Sequence, residues 1–315
     1  MQEETSKTKM NRIRFAEELC RQVLAVLGEG YRTELSRVRK NNGVIKDVLH
    51  VRKEGSECIP CFYMDELYRS YCAGESELGL AEQLADIVLN ECESVREQAQ
   101  NFFDKDWIIQ RLFLRVIRVE SNEEWLRDAV YVKYLDLAAV FYVLTEDTED
   151  GVKSFQLPYK VWETMGLGSA EDYFPVIVEN TRRLFPEKLW CVEHTVKEYR
   201  LQEEAPGVRR NLPTEYLSRQ LYVLSNRRRI NGVAVLFYPE LLRQLGETFG
   251  GDYYVIPSSI HEVLLLKENE EEDAGILNRM VRTVNEQQVL PEEVLADHVY
   301  LYSAEEGVLR SIEEA

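Results

Sequence analysis

The stretch that decides the fold of the C-terminal part is LYVLSNRRRINGVAVLFYPELL, residues 221–242. Leu221–Ser225 and Gly232–Phe237 are apolar and rich in β-branched residues, which predicts two strands. The polar residues Asn226–Asn231 predict a turn between them. Pro239 stands where a helix can begin, because its fixed φ suits the first helical position.

The same pattern continues downstream of this stretch, from GGDYYVIPSSIHEVLLL onwards. It predicts, in chain order, a strand, a turn, a strand, a helix and a short strand: Tyr253–Ile256, Pro257–Ser259, Ile260–Leu266, 272–286 and His298–Tyr302. Residues 214–315 therefore read as a ββαββα lobe. Strands with helices set between them predict an α+β fold with antiparallel sheets and packed helices.

The rest of the chain predicts a second α+β lobe over residues 11–200. A linker over 201–213 joins the two lobes, because that segment contains two prolines and a glycine. Residues 1–10 are polar and predict a disordered tail. In the N-terminal lobe, Asn42-Gly43 predicts the type I′ turn of a β-hairpin, because both positions of that turn need positive φ.

Hydrophobic spacing predicts the remaining elements of the N-terminal lobe. The helices are expected at Ile13–Leu27, 63–72, 77–96, Asp106–Val119, 158–164 and 170–183. The strands are expected at Ile59–Phe62, Tyr131–Thr145 and Val152–Leu157. Within the second strand, Asp136–Ala139 fits a buried helix equally well, so the pattern leaves two readings there.

Composition limits the classes of function. The chain has 315 residues, with 38 Lys plus Arg against 56 Asp plus Glu and a formal charge of −18. This acidic balance argues against binding to nucleic acid or to an anionic membrane. The N-terminus has no apolar signal region, and no apolar run is long enough to span a membrane. We therefore expect a cytoplasmic protein whose six cysteines are free thiols.

The cysteines and histidines are the residues that could carry metal or redox chemistry, and their spacing favours ordinary structural roles. Cys58-Ile-Pro-Cys61 is a CxxC, but a zinc site needs two further ligands, and no suitably placed pair follows. The four histidines, His50, His194, His261 and His298, form no HExxH motif. The sequence predicts neither a metal nor a cofactor.

One polar patch is the candidate binding site. The turn 226–231 carries three arginines, which can grip phosphate or carboxylate oxygens in pairs. The segment 257–262 concentrates hydroxyls, an imidazole and a carboxylate. If both turns lie at one edge of the sheet, they form a single patch of seven candidate residues: Asn226, Arg228, Asn231, Ser258, Ser259, His261 and Glu262.

Several separated blocks resemble a family of uncharacterised bacterial proteins, a domain of unknown function common in anaerobic gut bacteria. The blocks are residues 221–242, GGDYYVIPSSIHEVLLL, MVRTVNEQQVLPEEVLADHVYLY, VRKNNGVIKDVL and YLDLAAVFYVL, within about residues 13–303. The resemblance implies that Asn231-Gly232 and Pro257–Glu262 belong to the family signature and that Cys58 and Cys61 do not. It implies no catalytic residue, because the family has no established activity.

No complete catalytic constellation is visible, so the leading hypothesis is a non-enzymatic binding or regulatory module. Its partner would be a protein or a small anionic ligand, with no membrane involved. The alternative is a hydrolase or transferase that uses His261 with Ser259 or Glu262. A third class is an acidic mimic of nucleic acid that acts against a host or phage factor. The sequence leaves open whether the protein is an enzyme.

Overall fold

A computed structural model of the chain describes residues 11–56, 58–98, 104–148, 151–192, 221–268 and 273–312. The chain divides into two compact units. Unit 1 contains the residues up to Asp104 other than Asn41–Gly43. Unit 2 contains Asn41–Gly43 and the residues from Lys105 onwards. No helix within the described ranges is both long enough and apolar enough to cross a membrane.

Unit 1 packs helices against one face of a three-stranded antiparallel sheet of order β1-β2-β3. Its strands are β1 (Tyr31–Arg39), β2 (Ile45–Lys53) and β3 (Cys61–Tyr63), and its helices are α1 (Arg12–Leu27), α2 (Met64–Ala73) and α3 (Glu77–Gln98). Helix α1 begins where the Asn11 side chain accepts a hydrogen bond from Arg14 N at 3.0 Å. Phe15, Leu19 and Leu49 lie in the core that these elements enclose.

The β1–β2 hairpin confirms the prediction made from Asn42-Gly43, with one difference. Both residues have positive φ, 58° at Asn42 and 70° at Gly43. The loop, however, comprises the three residues Asn41–Gly43. The hydrogen bond from Lys40 N to Val44 O, 2.7 Å long, closes it. The predicted two-residue type I′ turn is therefore one residue too short.

Unit 2 contains two antiparallel sheets, which agrees with the predicted α+β class. In one sheet, the long strand β6 pairs with β4 on one side and with β5 and then β7 on the other. The other sheet has six strands in the order β13-β12-β10-β11-β9-β8. The strands are β4 (Leu112–Arg118), β5 (Tyr131–Tyr134), β6 (Leu137–Thr148), β7 (Gly151–Gln156), β8 (Glu187–Cys191), β9 (Tyr222–Asn226), β10 (Tyr253–Ser259), β11 (Glu262–Lys267), β12 (Val299–Ser303) and β13 (Val308–Ile312).

Helices cover both sheets of unit 2 and complete its core. They are α4 (Lys105–Arg111), α5 (Glu123–Leu126), α6 (Tyr159–Thr164), α7 (Ala170–Leu184), α8 (Leu241–Phe249) and α9 (Ala274–Gln288). The main core joins Phe141 of the first sheet to Tyr253 and Tyr300 of the second. Helix α9 packs Leu277 and Val281 against the other face of the six-stranded sheet.

Four predicted elements are wrong. The helix expected over Asp106–Val119 ends at Arg111, and β4 follows, because its apolar run pairs with β6 in the sheet and packs against α7. Gly232–Phe237 forms a 3-10 helix instead of a strand. Its first five residues are all buried, and a short, wholly apolar run does not distinguish these structures. The C-terminal order is therefore not the predicted ββαββα.

The third error is the turn expected at Pro257–Ser259. Strand β10 continues through these residues, and the turn is Ile260-His261, between the paired residues Ser259 and Glu262. Pro257 is tolerated there because β12 pairs only with Tyr253–Val255 of β10, so no ladder bond needs the missing N–H.

The single strand expected over Tyr131–Thr145 is two antiparallel strands, β5 and β6, with a turn between them in which Leu135 has φ 55°. The buried-helix reading of Asp136–Ala139 is also excluded, since β6 begins at Leu137.

The predicted tail over 1–10 and the predicted linker over 201–213 lie outside the described residues. The lobe boundary therefore stays a prediction. Strands β8 and β9, which precede and follow the predicted linker, pair with each other and belong to unit 2.

Candidate functional site

The turn 226–231 and the Ile260-His261 turn meet in unit 2. Asn231 N donates a hydrogen bond to His261 Nδ1 at 3.0 Å. Gly232 N and Ser225 Oγ both donate to His261 O, at 3.1 and 2.6 Å. The assumption that these two segments lie side by side is therefore correct.

Gly232 is the point of closest approach between the two turns. A Cβ atom at this position would lie 2.0 Å from Ser225 Oγ and 2.3 Å from His261 O. Nothing larger than glycine fits unless the backbone moves. The juxtaposition therefore depends on the absence of a side chain at this position.

Asn226 fixes the conformation of residues 226–231, which we call the arginine turn. Its side chain is 2% exposed; Nδ2 donates to Ile230 O at 2.8 Å, and Oδ1 accepts from Ile230 N at 3.4 Å. Arg229 N donates to Asn226 O at 3.1 Å, and Arg227 N donates to Pro186 O at 2.9 Å. The turn is thus fixed from inside by an amide and from outside by the start of β8.

Two residues of this turn adopt the left-handed conformation. Asn231 has φ 49° and Arg229 has φ 55°. Asparagine tolerates this region, whereas a residue such as arginine pays about 1 to 2 kcal/mol for it. The surrounding hydrogen bonds hold Arg229 in a conformation that its side chain disfavours.

The three arginines of the turn have different surroundings. Arg228 forms an ion pair with Asp147 at 3.0 Å and also donates to Thr148 O. Arg229 lies over the ring of Trp190 on β8, with its guanidinium carbon 4.6 Å from the ring centroid. Among the described residues, neither Arg227 nor Arg229 has a carboxylate within 4.0 Å, and both are exposed. The open cations are therefore the two neighbours of the predicted residue Arg228.

His261 is half-buried, with its side chain 31% exposed, and its hydrogen bonds fix its tautomer. Since Nδ1 accepts from Asn231 N, the proton of the neutral ring sits on Nε2. Nε2 lies 3.4 Å from Oε1 of Glu293, in the 3-10 helix Pro291–Glu293. Ile260 N also donates to Glu293 O, at 2.8 Å.

This arrangement does not join the histidine to a nucleophile. Ser259 Oγ accepts from the backbone N–H of His261 at 3.1 Å and makes no bond to its ring. The one lone pair of the neutral imidazole is occupied by Asn231 N–H, so the ring has no free position to take a proton from Ser259 or Glu262. In this geometry, His261 positions the arginine turn.

The other two predicted site residues lie beside this junction. Ser258 is the extra residue of a bulge between Pro257 and Ser259. Glu262 is half-buried at the start of β11. Burial raises the pKa of the Glu262 carboxyl, and the positive charge of Arg229 offsets only part of that rise.

The chain matches a family model over residues 13–304, and that model is described as a family of unknown function, DUF5688. The protein belongs to this family. Comparison with the curated proteins and with the solved structures gave no match. The family match confirms the resemblance to a domain of unknown function, and it assigns no activity.

The remaining cysteines and histidines of this DUF5688 protein form no metal cluster in the ranges that the structure describes. No group of three or more His, Cys, Asp or Glu side chains in those ranges is arranged to hold a metal. Burial raises the pKa of the Cys61 thiol despite the nearby charge of Lys40, which disfavours the reactive thiolate. His50 bonds Ser36 Oγ at 2.8 Å, and His194 lies outside the described residues.

Three residues that lie beside the arginine turn and His261 were not identified from the sequence. Trp190 and Lys188 are 35 or more positions before the arginine turn, and Glu293 is about 30 after His261. Only the pairing of β8 with β9 brings the first two to the turn. The basic and aromatic pair KLW of residues 188–190 was the one local signal.

Proposed function

We propose that this DUF5688 protein is a binding module that takes an anionic group, a carboxylate or a phosphate. The site is the arginine surface, which we define as Lys188, Trp190, Arg227 and Arg229. The observation that carries the proposal is Arg229, held at positive φ over Trp190 with no carboxylate oxygen within 4.0 Å among the described residues. Backbone strain of this kind persists where the surrounding structure overdetermines it and is concentrated at ligand sites.

Charge supports the proposal. The chain has a formal charge of −18, and within the turn Arg228 pairs with one acidic residue, Asp147. Arg227 and Arg229 stay open beside Lys188, whose Nζ lies 5.7 Å from the Trp190 centroid. A local positive field in an acidic protein attracts anions to that place.

Rigidity supports it as well. The turn is tied to Pro186, to the Asn226 amide and to the Ile260-His261 turn. A turn whose backbone is already fixed loses less conformational entropy when an anion binds to its side chains. Guanidinium groups donate in parallel to carboxylate and phosphate oxygens, so either anion fits.

The test is titration of the full chain with pyrophosphate and, separately, with citrate, followed by calorimetry and by tryptophan fluorescence. We expect binding of at least one anion and a loss of affinity of tenfold or more in the double variant R227A/R229A. Trp190→Phe should remove the fluorescence response and should lower the calorimetric affinity less than R227A/R229A does, because phenylalanine keeps a ring beside Arg229. The matched control is Arg243→Ala, because Arg243 is already paired with Glu240 at 2.5 Å and with Glu247.

The proposal fails if neither anion binds the wild-type chain. It also fails if the double variant binds as tightly as Arg243→Ala, because the affinity would then come from elsewhere on the molecule.

A further inference from the structure

Strand β8 forms an outer edge of the six-stranded sheet. Its five residues pair with β9, and within the described part of the chain no strand pairs with its other side. An edge strand presents backbone N–H and C=O groups that can bind another extended segment.

The register shows which groups point outward. Val192 N donates to Leu221 O and Arg227 N donates to Pro186 O, each at 2.9 Å, so these two pairs are hydrogen-bonded pairs. In an antiparallel ladder such pairs alternate, so Lys188 and Trp190 bond β9. The N–H and C=O of Leu189 therefore point away from β9. The Leu189 side chain is 40% exposed, so it lies open beside them.

The charge around this edge is positive. Lys188 belongs to the strand, and Arg227 and Arg229 lie at the end of its partner strand. Two carboxylates are nearby. Arg182 binds Glu187 with two hydrogen bonds, at 2.5 and 3.1 Å, so its charge is compensated. Glu262 is half-buried at the start of β11.

We propose that the natural partner is an acidic peptide that binds as an extended seventh strand beside β8. This inference rests on the proposed anion-binding function and names its partner class. Peptide backbone bonds to the N–H and C=O of Leu189, and peptide carboxylates bind Lys188, Arg227 and Arg229. Charge complementarity favours an acidic partner. A peptide fits better than a nucleic acid, because phosphodiesters can bind the cations but have no peptide backbone to pair with Leu189.

The probe is a fluorescein-labelled Glu-Val-Glu-Val-Glu-Val-Glu peptide, measured by anisotropy with the full chain. The control peptide has the same sequence and charge, but every backbone amide nitrogen is methylated, so that neither of its edges can pair as a strand. On the protein, Leu189→Pro removes the outward N–H, and Leu189→Val keeps it. We expect tenfold weaker binding of the probe to Leu189→Pro and of the control peptide to the wild-type chain, with Leu189→Val within twofold of wild type.

The two peptides, measured on the wild-type chain and on R227A/R229A, separate this inference from the proposed function. If both peptides bind equally and R227A/R229A abolishes their binding, the strand is overturned and the anion site stands. Equal binding of the probe by Leu189→Pro and Leu189→Val overturns the strand as well. If Leu189→Pro fails to fold by circular dichroism, the two peptides on the wild-type chain decide.

Two competing occupants have their own readouts. An oligodeoxynucleotide of equal charge that displaces the peptide at the same concentration overturns the peptide assignment. A dimer in light scattering that Leu189→Pro converts to monomer assigns the edge to a second copy of the chain and overturns it too.

Discussion

Two loops of unit 2 invite comparison, the loop Asn41–Gly43 and the arginine turn 226–231. Each holds two residues at positive φ, and each uses asparagine side chains as a lock. In the first loop the two residues are Asn42 and Gly43, which suit that conformation. In the second, one of them is Arg229, which does not. Positive φ at Asn42 and Gly43 suits those residue types and needs no functional explanation. Positive φ at Arg229 does not suit arginine, and a functional role would explain it.

The fastenings of the two loops differ as well. Asn122 is 2% exposed and locks the first loop from a distant part of the chain. It accepts from Asn42 N at 2.9 Å and donates to the side-chain oxygens of Asn41 and Asn42. The arginine turn is locked by its own member Asn226 and by His261. Asn122 and Asn226 are equally buried, but Asn122 comes from a different part of the chain, whereas Asn226 belongs to the turn that it holds and lies beside an open surface.

Glycine substitutions should separate the loops most strongly. Gly232→Ala should lower the free energy of unfolding by about 3 kcal/mol or more, since its Cβ would overlap backbone and side-chain oxygens. Gly43→Ala should lower it by about 1 to 2 kcal/mol, the cost of positive φ, because the nearest atom to its Cβ is 4.0 Å away. Urea unfolding measures both. Equal losses in the two variants would show that Gly232 is not required for a steric reason that Gly43 lacks.

The asparagine locks should differ next. Asn122→Ala should lower the free energy of unfolding by about 2 to 3 kcal/mol, because it leaves buried groups of Asn41 and Asn42 without partners. Asn226→Ala should lower it by about 1 to 2 kcal/mol and should also weaken anion binding. Unfolding and pyrophosphate titration of both variants provide the check. Weakened binding in Asn122→Ala alone would reverse the assignment of function.

The pH dependence of the arginine turn should come from Glu262. Its folded pKa is raised, so protonation favours the native state and the charged carboxylate costs stability above that pKa. Glu262→Gln should therefore raise the urea midpoint at pH 7, and the gain should vanish as pH falls below the ordinary glutamate pKa of about 4.3. Glu163→Gln, the same change at an exposed site, is the control. A gain that persists at pH 3.5 contradicts the electrostatic cause.

The smallest effect is expected at the residue that makes the turns different. Arg229→Gly relieves a conformational cost of about 1 to 2 kcal/mol and loses a cation–π contact worth about 0.5 to 1 kcal/mol, so stability should stay within about 1 kcal/mol of wild type. Anion binding should fall. Asn42→Gly should be destabilising, because Asn42 Nδ2 donates to the carbonyls of Pro291 and Val294. A large loss in Arg229→Gly would make Arg229 a structural residue.

The fold class, the hairpin at Asn42 and most helices could be predicted, because periodicity and turn residues are local signals. Gly232–Phe237 could not, since an apolar run of six residues, five of them buried, fits a strand and a 3-10 helix alike. The two segments do meet, but through the pairing of β9 with β11 and not through the predicted hairpin of Leu221–Ser225 with Gly232–Phe237. The exchange of Arg228 for Arg227 and Arg229 as the open cations could not be foreseen, because the partners Asp147 and Trp190 come from other strands.

The short 3-10 helix Pro291–Glu293 has a consequence for how the molecule opens. It holds the Ile260-His261 turn through Glu293, and the carbonyls of Pro291, Glu292 and Val294 accept from Asn41 and Asn42. Residues 291–294 thus bind both the loop Asn41–Gly43 and the turn that contacts the arginine turn. Local fluctuations release such a shared contact all at once, so the amide protons of Asn42 and Asn231 should exchange with solvent deuterium at matched rates.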